Sequence, residues 1–206
     1  MTDARAAAKE EIRAAHRRQR ATRSAADLDV AGNGLAHHGL AWLRAQHLDA
    51  GTTVCAYWSV GMEPPTQPLL TALHDAGYQV LLPVCEPHRE LSWVHWTPGV
   101  AFTRSRYAPI DEPVGPAQPT AVAAAADVLF LPATAVDASG NRIGQGGGYY
   151  DVFLTHLTTA GSQVAQAAIV FDAELLPPRS IPAEPLDRPV PNVLTPSGLH
   201  RLDQTE

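Results

Sequence analysis

Cysteine and lysine are almost missing from this 206-residue chain, with two of the first and one of the second. Cys55 and Cys85 both lie in strand-like runs, TTVCAYW and QVLLPVC. Without a secretory leader the two read as reduced core thiols, not as a disulfide or a metal pair. Lys9 stands against fourteen arginines. With abundant Ala and Pro, that skew reads as coding bias, so an arginine taken alone says little about function. No apolar run approaches the ~20 residues of a membrane span, since the most apolar stretch, Ala121 to Ala126, stops at Asp127. The first twenty residues carry Asp3, Arg5, Lys9, Glu10, Glu11 and Arg13 with no apolar segment, so a secretory signal is not expected and a cytoplasmic location is. Positive charge is short overall. The formal net charge of −6 argues against nucleic-acid binding by bulk electrostatics. The nine histidines show no zinc-ligand spacing.

What the chain does contain is enough apolar residue, 45%, to bury a large core without staples. Ala4 to Arg23 has strong helix formers and no Gly or Pro, but Ile12 is its one large apolar residue, which predicts a mostly exposed helix. Ser24 with Asp27 resembles a capping box opening a second helix toward Leu48, weakened by Gly32 and Gly34. TTVCAYW and YQVLLPV read as buried strands, with a helix over Thr66 to Ala76 closed by Gly77 between them. ELSWVHW reads as a strand pairing with its neighbour across the EPHR turn. Thr97 to Pro119, with five prolines, is expected to be a long surface loop. DVLFLP, a polar turn (DASGNR), a glycine run, a helix from about Tyr149 to Ala160 and the strand QVAQAAIVF follow, with VPNVLT as an edge strand. Asp172 is expected to cap a helix over DAELL. Trp58, Trp93 and Trp96 read as core or strand residues. Apolar strands alternating with helices predict one α/β domain over residues 1–206. Its layers are three, a largely parallel central sheet flanked by helices in a Rossmann-like arrangement.

The chemistry concentrates in Gly140 to Asp151, GNRIGQGGGYYD. Gly144, Gly146, Gly147 and Gly148 directly before a helix allow positive φ and let backbone N–H groups converge on one point. The helix start adds its positive dipole end, and Arg142 adds a forked donor, so the run reads as a phosphate site; a flexible glycine turn is the plainer alternative. There is no G-x-x-x-x-G-K-[ST], and the spacing fits a dinucleotide fingerprint poorly. Asp151 in the first helical turn reads either as an acid favouring the dipole or as a carboxylate holding Mg²⁺ beside phosphates. Tyr149 and Tyr150 diverge by ~100° on a helix, so one of them is expected to line the site.

This stretch closely resembles the signature of the 5-formyltetrahydrofolate cyclo-ligase (methenyltetrahydrofolate synthetase) family, G-x-R-[LI]-G-x-G-x-G-Y-Y-D. Lys9 with Arg13 resembles the K-x-x-x-R of the family's first helix, and Glu63 its substrate-side glutamate. DEPVG resembles its E-P element, Pro132 a proline ahead of the signature, and EPLDRPVPNVLTP its closing segment, with Asp187 at a metal-associated aspartate. Order and spacing hold from residue 9 to 196. Gln145 and Pro191 depart from the pattern, at positions where many members carry a basic or aromatic residue and an acid.

The resemblance implies ATP-dependent, Mg²⁺-dependent cyclisation of 5-formyltetrahydrofolate to 5,10-methenyltetrahydrofolate with release of ADP and phosphate. It implies ATP contacts from Lys9, Arg13, Arg142, Gly144, Gln145, Gly146, Gly147, Gly148 and Tyr149, and folate contacts from Glu63 and Tyr150. Arg142 and Tyr150 would serve catalysis, and Asp151 and Asp187 the metal. The expected partners are these small molecules, with no nucleic acid and no membrane, acting on a monomer. A non-catalytic folate- or nucleotide-binding module of the same fold is the alternative, and an unrelated enzyme using the glycine loop for a sugar phosphate or dinucleotide a third.

Overall fold

A computed structural model describes residues 2–183 and 188–202 of the chain. Helix α1 (Thr2–Arg20) is followed by α2 (Ala25–Ala45), strand β1 (Thr53–Cys55), α3 (Gln67–Asp75), β2 (Gln79–Cys85) and β3 (Leu91–Trp96). Then come a short pair, β4 (Phe102–Arg104) and β5 (Asp111–Pro113), helix α4 (Thr120–Ala124) and β6 (Val128–Pro132). The chain closes with β7 (Ala135–Asp137), β8 (Arg142–Ile143), α5 (Tyr149–Thr159), β9 (Ala165–Ile169), β10 (Leu175–Leu176), β11 (Asn192–Thr195) and β12 (Gly198–Arg201).

Seven strands form one sheet in the order β12-β11-β9-β6-β1-β2-β3. The five inner strands run parallel, and β12 and β3 pair antiparallel at the two edges. Side chains alternate across it as pleating requires. Val128 and Phe130 of β6 face Leu35, Trp42 and Leu43 of α2 and Leu69, Leu70 and Leu73 of α3. Leu129 and Leu131 face Phe153, Leu154 and Leu157 of α5 and Ala123 of α4. Both faces are covered, which is why these strands read as continuous apolar runs. The three-layer expectation therefore holds.

The capping box forms: Ser24 Oγ accepts from Asp27 N–H, and Asp27 Oδ2 accepts from Ser24 N–H at 2.9 Å. The glycines within α2 answer to packing. A Cβ on Gly34 would lie 2.3 Å from the Pro196 carbonyl oxygen, so the helix approaches the β11–β12 turn as closely as backbone allows.

Three expectations change and one is filled in. The 97–119 segment is not an unstructured loop, because β4 and β5 pair within it and bury Glu112, whose Oε1 accepts from Cys85 N–H at 2.7 Å. DASGNR is a turn as expected, the tip of the β7–β8 hairpin, and β10 adds to β7 on its other side. VPNVLT supplies β11, which is no edge, since β12 lies beyond it. Asp172 opens only a three-residue 3₁₀ turn and its Oδ1 instead accepts from Ser197 N–H at 3.3 Å.

Candidate functional site

The chain leaves β1 toward β2 on one side and returns to β6 on the other, so the sheet order reverses between β1 and β6. In open parallel sheets the crevice beyond the strand C-termini at such a reversal is where ligands sit. The loop after β1 carries Glu63, and the segment after β6 carries the β7–β8 hairpin and the glycine run. The predicted residues thus arrive at one place from separate parts of the chain.

The hairpin is folded around one carboxylate. Asp137 is fully buried, and its Oδ1 accepts from the N–H groups of Ser139 (3.0 Å) and Asn141 (3.1 Å). Its Oδ2 accepts from Asn141 Nδ2 (3.1 Å) and Ile181 N–H (3.0 Å). Gly140 takes φ +87° at the tip, where a Cβ would meet the Val190 carbonyl oxygen at 2.8 Å. This cage holds the approach to the glycine run, which ends with Gly148 at φ +77° as N-cap of α5. No side chain caps that helix, so its first amides are available to an anion.

Arg142 and Arg13 border the start of the run. Arg142 reaches Asp151 through Nη2 (2.5 Å to Oδ1), with its side chain 5% exposed against 48% for Asp151. Its Nη1 lies beside Gly144, and its Nε is buried with no hydrogen-bond partner among the described residues. Arg13 donates from Nε to the Gly144 carbonyl at 2.9 Å and from Nη1 to Glu10. Lys9, one turn earlier on α1, is buried. α1 is mostly exposed, as expected, but it has a narrow covered side made of Lys9, His16 and Arg20. They are buried polar residues, which a search for apolar spacing does not register.

What seats α1 is a buried ion pair. Arg20 (3% exposed) donates from Nε and Nη2 to Glu174 (1% exposed) at 2.7 and 2.8 Å, and from Nη2 to the Ala133 carbonyl at 3.0 Å. The pair joins the end of α1 to the segments that leave β6 and β9. Burial works against the Arg20 charge, but the Glu174 carboxylate outweighs it and the guanidinium is held more firmly protonated than usual.

On the folate-expected side, Glu63 Oε2 accepts from Val60 N–H at 3.0 Å. Burial pushes its carboxyl up, opposed by the Val60 amide, the Arg20 charge and the nearby Gln145 side chain. Gln145 of the glycine run thus lies next to the loop after β1. The hydroxyls of Tyr57 and Tyr150 are buried without partners among the described residues, and burial drives both phenols well above their ordinary range. Tyr149 diverges from Tyr150 as helical geometry demands, its hydroxyl 3.4 Å from the Tyr107 carbonyl. Burial and the neighbouring Glu112 carboxylate push the Cys85 thiol up to about 12, so it is no thiolate nucleophile at neutral pH.

The structure brings together Arg13, Arg142, Gly144 to Tyr149, Asp151 and, next to Gln145, Glu63 with Tyr150, while Lys9 is buried one turn before Arg13 on α1. Asp187 lies outside the described residues. Asp137, Tyr57 and the Arg20–Glu174 pair were not singled out from sequence. Asp137 had a local signal, an Asx-type acid ahead of Ser-Gly-Asn, whereas the ion pair spans 154 positions and has none.

Comparison with known proteins speaks to this arrangement. The model of the 5-formyltetrahydrofolate cyclo-ligase family matches residues 5–196. Over 160 residues the chain is 39% identical to a 5-formyltetrahydrofolate cyclo-ligase of Mycolicibacterium smegmatis, covering 75% of this chain and 78% of that one. It is 34% identical over 147 residues to one from Escherichia coli, covering 70% and 78%. Among solved structures, a 5,10-methenyltetrahydrofolate synthetase of Aquifex aeolicus superposes with TM-score 0.71 at 21% identity, over 96% of this chain and 94% of that one. One from Mycoplasma pneumoniae gives 0.70 at 15%, over 91% and 98%. These structural likenesses speak for the fold, and the family match takes in the glycine run together with Lys9, Arg13 and Glu63. The chain belongs to the 5-formyltetrahydrofolate cyclo-ligase family.

Proposed function

We propose that this chain is a cyclo-ligase that converts 5-formyltetrahydrofolate to 5,10-methenyltetrahydrofolate with ATP as co-substrate. The observation that carries the reading is the junction at the sheet reversal, where Gln145 of the glycine run lies next to Glu63 of the loop after β1. An anion cradle and a carboxylate suited to a pterin's N–H donors are thereby adjacent.

In the proposed reaction the formyl oxygen attacks the γ-phosphorus, the bond to the bridging oxygen breaks, and ADP leaves. The folate's second nitrogen then adds to the activated carbon and gives up its proton, and the carbon–oxygen bond breaks to release phosphate. Such a phosphoryl transfer asks the protein for positioning and charge neutralisation. The amides at the start of α5, Arg142 and Arg13 supply both, with Lys9 beside them. Glu63 orients the pterin, and the buried Tyr150 hydroxyl is available to the reacting folate.

Mg²⁺ is commonly held by one or two carboxylates together with phosphate oxygens. Asp151, half-exposed beside the cradle, fits that demand, and Asp187 is the proposed second ligand. Bound there, the ion would neutralise charge on the transferring phosphoryl group.

The test is to mix the purified chain with MgATP and 5-formyltetrahydrofolate and follow methenyl absorbance together with ADP. Both should appear in equal amounts. Retention of 5-formyltetrahydrofolate without ADP release would make the chain a binding module, and a response to NAD or sugar phosphates with none to ATP would overturn the reading altogether.

A further inference from the structure

The turn between β2 and β3 holds two successive non-glycine residues in the left-handed region, His88 at φ 61° and Arg89 at φ 65°. That conformation is strained for a residue with a side chain, and such residues persist where the surroundings over-determine them. What this turn does is place the Arg89 side chain against the start of α5. A Cβ on Gly148 would lie 3.2 Å from Arg89 Nη1 and 3.3 Å from its Cδ. The guanidinium therefore rests on the N-cap of an eleven-residue helix.

Electrostatically this is a poor place for a cation, because the helix already presents its positive end there. Arg142 and Arg13 border the same glycine run from two other elements. The acid in the first turn of α5, Asp151, is engaged by Arg142, and among the described residues no carboxylate pairs with Arg89. The Nε of Arg142 is independently a buried donor with no hydrogen-bond partner among the described residues. Positive groups from α1, the β2–β3 turn and β8 thus converge on uncapped helix amides, an arrangement that a polyphosphate relieves.

We propose that Arg89 is a phosphate ligand of this site, reaching the polyphosphate of the nucleotide from the β2–β3 turn. The assignment rests on the nucleotide reading given above. Calorimetry and melting curves on the whole chain and on Arg89→Gln test it, with inorganic tripolyphosphate, MgATP, AMP and 5-formyltetrahydrofolate as separate probes. Losing a charge-assisted contact should weaken tripolyphosphate and MgATP by about tenfold or more in Arg89→Gln, and leave AMP and 5-formyltetrahydrofolate within about twofold. The ligand-free melting temperature should hold or rise, since a charge facing the helix dipole is gone. Unchanged tripolyphosphate affinity overturns the proposal, as does a lowered ligand-free melting temperature with all four ligands weakened alike, which would make Arg89 a support for its turn. If the parent chain binds neither tripolyphosphate nor MgATP, the nucleotide reading of the cradle falls and Arg89 with it. If the parent binds both and Arg89→Gln binds them equally, only Arg89 is lost.

Discussion

Asp151 sits where a carboxylate has to serve two neighbours, the Arg142 guanidinium and the anion cradle at the start of α5. Replacing it with Asn should cut turnover at least about tenfold, near 1.4 kcal/mol, with part of the loss recovered by added Mg²⁺. Melting temperature should fall as well, because Arg142 is 5% exposed and loses its ion-pair partner. A fall in stability with an unaltered Mg²⁺ titration would leave Asp151 as no more than that partner. For Arg142, one arm is committed to Asp151 while Nε remains for a phosphate oxygen. Lys has no second arm, so Arg142→Lys should recover little of the MgATP affinity that Arg142→Ala loses, and a Lys variant with parental affinity counts against a forked contact. Glu63 behaves differently. Its carboxyl is raised in the fold by burial, so the native state holds its proton more tightly than the unfolded chain does. Stability from this group is therefore greatest below the ordinary carboxylate range, about pH 4, and declines as pH rises through the raised value. Glu63→Gln should accordingly melt higher than the parent at neutral pH, with the gap closing in acid, while folate binding weakens and ATP binding holds. Residues of this kind were legible in sequence where a motif carried them, as at Arg142 and Asp151. Tyr57, whose unpartnered hydroxyl shows only in the fold, was not, and neither was Arg89, one arginine among fourteen.

At the scale of elements, legibility followed locality. The capping box of α2 lies within four residues, and the apolar runs of β2 and β6 are five to seven long, enough to show their character. The β4–β5 pair escaped because strands of three residues hold too few positions for a period to emerge. The buried side of α1 escaped because it is polar and its partner is distant in sequence. That partner makes α1 testable. Arg20→Met strands the Glu174 carboxylate in the core and should cost about 3–5 kcal/mol, measurable by denaturant unfolding. MgATP affinity should drop with it, since α1 carries Lys9 and Arg13. Adding Glu174→Leu removes the stranded charge and should restore most of the stability. A single variant that unfolds within about 1 kcal/mol of the parent would mean the pair does not seat the helix.

For the molecule as a whole, the cradle draws on α1, the strand C-termini and α5 together, so a ligand that binds it stabilises the entire fold. MgATP at about a hundred times its dissociation constant should add ~2.7 kcal/mol, or roughly 5–10 °C for a chain of this size. Arg142→Ala should lose that increment, and a parent melting curve indifferent to MgATP would contradict a nucleotide at this site. The 154 positions between Arg20 and Glu174 also set a clock for the chain as it is made. With translation at ~5–20 residues per second, the ribosome needs ~8–30 s after Arg20 to deliver Glu174, and α1 cannot dock before then. A helix waiting that long with an apolar face would invite aggregation. This one waits with a lysine, a histidine and an arginine on the surface it will bury, so water keeps it safe until its carboxylate emerges.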